Sequence, residues 1–157
     1  MNNLILSLVA GLGATLAIGV LSYAEVSLTE VVLLMAPFGA TAVLVFGVPS
    51  SPLAQPKNVI IGHFITASIG IAFSQYVEIT PITLAIATGL GVSVMLITKT
   101  THPPAGANPI LIMASGQGWS FLFTPVLIGA VVIVLVGKAL QLLQSQYLTP
   151  RLNGQKT

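Results

Sequence analysis

The residues best suited to chemistry in this chain lie in and around one short polar string. His102–Asn108, with the sequence HPPAGAN, stands between two strongly apolar stretches. Histidine exchanges a proton near neutral pH, and asparagine offers both hydrogen-bond donors and an acceptor. Two prolines and a glycine do not continue a lipid-facing helix, and irregular backbone at membrane depth survives only inside protein or along a cavity. A broken segment of this kind points to a transport site.

Composition indicates that these residues lie in a membrane protein. Of 157 residues, 55% are apolar and 5% are charged, far from the average of a soluble domain. The few charged residues cannot form a nucleic-acid-binding face, and the lack of cysteine excludes disulfides and thiolate metal sites. The chain starts without the basic region of a signal peptide, so we expect its first apolar run to remain as a span.

The apolar runs predict an all-α membrane protein with a single transmembrane domain over residues 1–149. At about 1.5 Å per residue, four runs are long enough, or nearly so, to cross a bilayer. Basic charge near the C-terminus predicts that residues 150–157 form a cytoplasmic tail. The alternative for residues 31–48 is a complete crossing, which would make the number of spans odd. The predicted full spans are 4–23, 58–76, 82–98 and 121–143, and the predicted half-membrane (re-entrant or broken) helices are 37–47 and 104–115.

An internal repeat relates the two predicted half-membrane helices. A shift of 67 residues aligns 36–70 with 103–137 without a gap and gives eight identities in 35 positions. Pro37 aligns with Pro104, and the following glycine and alanine also match. Transporters commonly contain such repeats, and their sites lie where the repeats meet.

Each repeat offers the start of a short helix as a binding element. Proline favours the first helical position, so Pro37 and Pro104 are predicted to begin the two helices. The partial positive charge of a helix start attracts anions, and two converging starts would form an anion site. The alternative is that both prolines mark ordinary loop-to-helix junctions. The candidate substrate-binding residues at these starts are Gly39, Ala40, Thr41, Pro104, Gly106, Ala107 and Asn108.

Few ionisable residues accompany these helix starts. His102 adjoins the break and His63 lies about one turn inside the second long span, so both are candidate ligands, with a packing role as the alternative. Lys57 and Lys99 are candidate vestibule charges that raise the local anion concentration, or else partners of lipid headgroups. The glutamates, such as Glu25, are predicted to lie in solvated turns.

Small residues at a spacing of four recur along three of the long spans. Close approach through small side chains replaces the hydrophobic drive that lipid does not provide, so these stripes are predicted to pack helix against helix. The stripes are Gly11, Thr15 and Gly19; Gly62, Thr66 and Gly70; and Ala85, Gly89 and Ser93.

These motifs resemble the HPP family of membrane proteins. The resemblance rests on HPPAGA at 102–107, on PFGAT at 37–41, on QPKN at 55–58 and on Gly62-His63, and it covers about residues 33–138. It implies a small bundle of about four spans. Family members of cyanobacteria and chloroplasts are implicated in nitrite transport, so the resemblance implies nitrite as substrate and a bacterial plasma membrane, of cyanobacterial type, as location.

The sequence therefore favours transport of a small inorganic anion, nitrite first, across a lipid bilayer by a homo-oligomer. A channel or transporter for a cation or small neutral solute is the first alternative, although no buried carboxylate is predicted. A membrane anchoring or assembly subunit is the second. We expect no enzymatic activity, cofactor or metal, because no paired carboxylates, metal-binding cluster or activated nucleophile can be found in the sequence.

Overall fold

Six α-helices, joined by loops and by short 3-10 and π-helical segments, form the part of the chain that the structure describes. This computed structural model describes residues 3–28 and 32–148, so Glu30 and the predicted tail at 150–157 lie outside the described residues. The helices are α1 (Asn3–Ser27), α2 (Pro37–Ala42), α3 (Pro56–Tyr76), α4 (Pro81–Ile97), α5 (Asn108–Ser115) and α6 (Ile128–Leu143). The other helical segments are π-helical at Val43–Gly47, Leu122–Leu127 and Gln144–Leu148, and 3-10 at Pro52–Ala54 and Pro103–Ala107.

Three helical stretches are long and apolar enough to cross a membrane. They are α1, α3 and the stretch Leu122–Gln146, which is kinked at Thr124 and Pro125. These candidate spans agree with the runs predicted at 4–23, 58–76 and 121–143. Helix α4 has 17 residues and rises about 26 Å, a few ångströms less than a typical hydrocarbon core of about 30 Å. Its role as a fourth full span stays a prediction.

Two short helices run in opposite directions along α3. The segment Pro37–Gly47, about 16 Å long, ends near the start of α3, where the Gln55 side chain donates to the Pro49 carbonyl at 3.1 Å. Helix α5 ends near the far end of α3, where Gln75 donates to the Gln117 carbonyl at 3.2 Å. Each short helix is therefore much shorter than a full span, and their starts lie at the same level of α3. Their placement as half-membrane helices stays a prediction.

Glycines on the long helices admit the short helices at close range. A Cβ atom at Gly70 of α3 would lie 2.8 Å from Cα of Pro109 in α5. A Cβ atom at Gly137 of α6 would clash with Val45, in the π-helical continuation of α2. Gly70 and Gly137 are equivalent in the 67-residue repeat, so each repeat's long helix holds the other repeat's short helix. The superposition of the two repeats stays a prediction.

The small-residue stripe predicted from sequence packs within the chain on α3, whereas the stripes on α1 and α4 do not pack against another helix of this chain. On α3, the stripe at 62, 66 and 70 is buried. The predicted stripes on α1 and α4 are exposed. Each of these helices carries small residues on two faces, and the face that is buried is not the predicted one. The faces that are buried are Gly13, Ala17 and Leu21 on α1, and Ala87, Gly91 and Met95 on α4.

A carboxylate fixes the extended segment that leads into α2. Glu25, predicted in a solvated turn, instead lies within the last turn of α1. Its Oε2 accepts hydrogen bonds from the backbone N–H of Leu33 at 2.9 Å and of Leu34 at 2.8 Å. This contact satisfies two backbone donors in a segment that has no regular secondary structure, and it helps to set where α2 begins.

The packing at Gly70 gives a testable prediction of stability. Gly70→Ala forces the backbone of α5 away from α3, so we expect a loss of about 1–3 kcal/mol in the free energy of unfolding. The matched control is Gly89→Ala on α4, where a Cβ atom meets nothing within 4 Å and the expected change is within about 0.5 kcal/mol. Thermal unfolding in detergent measures both variants, and equal stability of the two would contradict this packing.

Candidate functional site

Four fully buried polar side chains meet where α2, α3 and α5 come together. They are Thr41 of α2, His63 of α3, His102 of the connection after α4, and Asn108 at the start of α5. We call these four residues the histidine cluster. Polar groups in such a setting are stable only when their hydrogen bonds are satisfied, so each contact within the cluster constrains the rest.

The hydroxyl of Thr41 joins the two imidazoles. Its Oγ1 lies 2.9 Å from Nε2 of His63 and 3.0 Å from Nε2 of His102. A third neighbour is the carbonyl oxygen of Pro37, one turn earlier in α2, at 3.1 Å. The rings of His63 and His102 pack edge to face, with their centroids 5.0 Å apart. The ring of Phe38 also packs edge to face on that of His63, with centroids 5.4 Å apart.

His102 is held from the side of the connection as well. Its Nδ1 lies 2.7 Å from the carbonyl oxygen of Leu53, in the short turn before α3. The Asn58 side chain donates to the Thr101 carbonyl at 3.2 Å and fixes the same connection against α3. The lack of a side chain at Gly62 permits this approach, because a Cβ there would lie 2.9 Å from the Thr100 carbonyl oxygen.

Asn108 closes the cluster from the side of α5. Its Nδ2 lies 3.0 Å from Nδ1 of His63, 3.0 Å from Oγ1 of Thr66 and 3.2 Å from the carbonyl oxygen of His63. Its Oδ1 is buried and has no hydrogen-bond donor among the described residues. A buried acceptor without a partner costs about 1–3 kcal/mol, so this atom favours a donor from outside the chain, such as water.

A groove of about 390 Å³ runs beside the cluster and is lined by both helix starts. Three pairs of its lining residues are equivalent in the repeat. The side chains that line it are apolar, and Ala40, Pro103 and Ala107 directly adjoin Thr41, His102 and Asn108 of the cluster in sequence. The lining residues are Ala36, Pro37, Ala40, Pro103, Pro104, Ala107, Ile110 and Leu111.

The predicted site residues thus separate into a buried group and an exposed group. The buried group is the histidine cluster together with Pro104, which lines the groove, and the exposed predicted residues that line the groove are Ala40 and Ala107. Gly39 is exposed, and its N–H donates to the Ala36 carbonyl at 3.1 Å, so it is not the free donor expected there. In the second repeat, α5 begins at Asn108, because the residues from 103 to 107 form a 3-10 turn.

The remaining candidates lie further away. Gly106 is half-buried and is not among the groove residues, and the α-helix predicted to begin at Pro104 is wrong by four residues. Lys57 and Lys99 are exposed, at the start of α3 and just beyond the end of α4. Both therefore lie at the same end of the bundle, where α3 and α4 are adjacent and antiparallel.

Two members of the site were not found from sequence. Thr66 was placed only in a packing stripe, although it lies one turn after His63 and could have been recognised as its polar neighbour. The carbonyl of Leu53 carries no signal in its residue type. Within residues 3–28 and 32–148, no three histidine, aspartate or glutamate side chains group closely enough to hold a metal ion.

Comparison with known proteins shows the family of this chain. The chain matches the family described as "HPP, transmembrane region" over residues 2–149. It is similar to two transmembrane proteins of Dictyostelium discoideum, 36% and 35% identical over 128 residues, which are 76% of this chain and 45% and 41% of the relatives. The chain thus spans less than half the length of these relatives, and no solved structure matches it. The extent of the family match shows that this chain belongs to the HPP family of membrane proteins.

Proposed function

We propose that this protein transports a small inorganic anion, nitrite first among the candidates, across the membrane. The observation that carries the proposal is the meeting of two short helix starts at one level of the bundle, beside a buried histidine cluster. Paired half-helices whose starts point to a common region are typical of substrate sites in transporters. The partial positive charge of helix starts favours an anion at that place.

The charges around the groove support an anion over a cation. The histidine cluster contains no carboxylate, and Glu25 and Glu78 lie elsewhere in the described structure. Exposed Lys57 and Lys99 add positive charge at one end of the bundle. Transmembrane cation sites usually contain acidic side chains or rings of carbonyl groups. The cluster instead offers ring nitrogens, a hydroxyl and an amide.

The groove also supports an assembly of several copies. Ala36, Ala40 and Ala107, which line it, are exposed in the single chain. A second copy could complete the path along this side, so we propose a homo-oligomer in a bacterial plasma membrane, with transport and no chemical conversion of the substrate. Nitrite itself comes from the family resemblance and not from the shape of the groove.

Filling the groove is expected to block transport without unfolding the protein. In Ala107→Leu and Ala40→Leu, an exposed alanine becomes a larger side chain that occupies the path. We expect nitrite influx into liposomes to fall about tenfold, which corresponds to about 1.4 kcal/mol of added barrier. The control is Gly89→Leu on the outer face of α4, where the new side chain meets open space. Normal influx in both alanine variants would overturn the groove as the path.

The lysines at the end of the bundle predict a salt-dependent rate. Lys57→Gln combined with Lys99→Gln removes two exposed charges that attract anions to the entrance. We expect slower nitrite influx at low ionic strength and little difference at about 1 M salt, where the Debye length is about 3 Å. A deficit that persists at high salt would show that these lysines do not act through attraction at a distance.

A further inference from the structure

The hydrogen bonds of the histidine cluster all run in one direction. At the Leu53 end, the contacts determine the positions of two hydrogens, one on His102 and one on the Thr41 hydroxyl. The Leu53 carbonyl oxygen can only accept, so Nδ1 of His102, 2.7 Å away, carries a proton. In neutral His102 the other nitrogen, Nε2, is then an acceptor. Its partner is the Thr41 hydroxyl at 3.0 Å, which therefore donates to it.

The contacts of Asn108, at the other end of this hydrogen-bond network, independently give the same donor-to-acceptor direction. The Nδ2 atom of Asn108 lies near two acceptors, the His63 carbonyl oxygen at 3.2 Å and Oγ1 of Thr66, which itself donates to the Gly62 carbonyl. It is therefore the amide nitrogen, whose two hydrogens are shared among three acceptors and which cannot itself accept. Nδ1 of His63, 3.0 Å away, thus faces a donor and is the unprotonated nitrogen. Neutral His63 then carries its proton on Nε2 and donates to Thr41, which accepts one bond and donates one.

The same atoms accommodate one additional proton, and only at His102. If Nε2 of His102 becomes protonated, it donates to Oγ1 of Thr41, whose own hydrogen turns to the Pro37 carbonyl, 3.1 Å away. Thr41 then accepts two bonds and donates one, which is the capacity of a hydroxyl. His63 lacks this option, because its free nitrogen faces the N–H groups of Asn108.

We propose that His102 is a site for one proton, switched by the Thr41 hydroxyl, and that one proton is carried with each transported anion. The coupling of the proton to the transported anion rests on the proposed function. His102 directly precedes Pro103 and Pro104, which line the groove, while its own ring points inward to Thr41 and Leu53. Its charge would therefore act on an anion in the groove through the low-dielectric protein and not by direct contact. A buried cation is unfavourable alone, and an anion offsets it. This linkage is reciprocal, so each ion favours the binding of the other.

The surroundings leave His102 with few competing charges. Among the described residues, the only titratable side chain in contact with its ring is the other histidine, His63. From α2 it meets the Thr41 hydroxyl, and from the turn before α3 it meets the Leu53 carbonyl. The nearest lysines in sequence, Lys57 and Lys99, are exposed. The added proton therefore has one well-defined place.

The chain contains two histidines, so nitrogen-15 NMR can test the proton site directly. Protein labelled with [15N]histidine, purified with a histidine-free tag and placed in lipid nanodiscs, should show opposite neutral tautomers, with the proton on Nε2 of His63 and on Nδ1 of His102. On acidification, His102 should become doubly protonated while His63 does not. Identical tautomers, or double protonation of His63 first, would overturn the proton site. His63→Gln and His102→Gln assign the signals.

Three variants separate a proton switch from a packing role. Thr41→Val removes the hydroxyl and should abolish double protonation of His102, whereas Thr41→Ser should restore it. Asn108→Asp places a carboxylate beside Nδ1 of His63 and should move the added proton to His63. If His102 is still doubly protonated first in Asn108→Asp and in Thr41→Val, the hydroxyl is not the switch.

The electrical response of transport tests the coupling. One nitrite moving with one proton carries no net charge, so a potassium–valinomycin potential should leave wild-type influx unchanged after subtraction of nitrous acid leakage in protein-free liposomes. Influx driven by the potential would overturn the coupling and leave transport intact. Absence of nitrite influx would overturn the proposed function together with the coupling, while the NMR result decides the proton site on its own.

Discussion

The hydroxyl of Thr41 is the contact on which the centre of this bundle depends. It satisfies one ring nitrogen of His63 and one of His102, and so joins α2, α3 and the connection after α4 in one hydrogen-bond network. Each of these nitrogens is buried and would lack a partner without it. The cluster is polar but fully matched in donors and acceptors, except at Oδ1 of Asn108. A matched network of this kind fixes the relative positions of the helices that form it.

Close backbone approach makes that network possible. Without a side chain at Gly62, the connection that carries His102 lies against α3, and without one at Gly70, α5 lies against the same helix. The short helices can therefore begin inside the bundle instead of crossing it. The irregular backbone around 100–105 is tolerated because most of it is buried within the protein, where the Thr101 carbonyl accepts from the Asn58 side chain.

Much of the fold could be predicted from local sequence, and less of the site. Pro37 begins a helix as predicted, since proline suits the first helical position. The helices that begin at Pro56 and Pro81 start within two residues of the apolar spans predicted at 58–76 and 82–98. The sequence also singled out all four members of the histidine cluster, but as separate ligands of a substrate. It could not show that they bond to one another, because Thr41 is 22 residues from His63 and 61 from His102. The inward faces of α1 and α4 were missed because small residues occupy two faces of each.

The most direct test of a coupled anion and proton site is the response of His102 to the anion itself. The measurement is the pH at which the nitrogen-15 signals of His102 change to the doubly protonated form, with nitrite and with the same ionic strength of gluconate. Because the two ions favour each other's binding, nitrite should move this midpoint to higher pH. A midpoint that is the same in both salts would contradict an anion site beside His102.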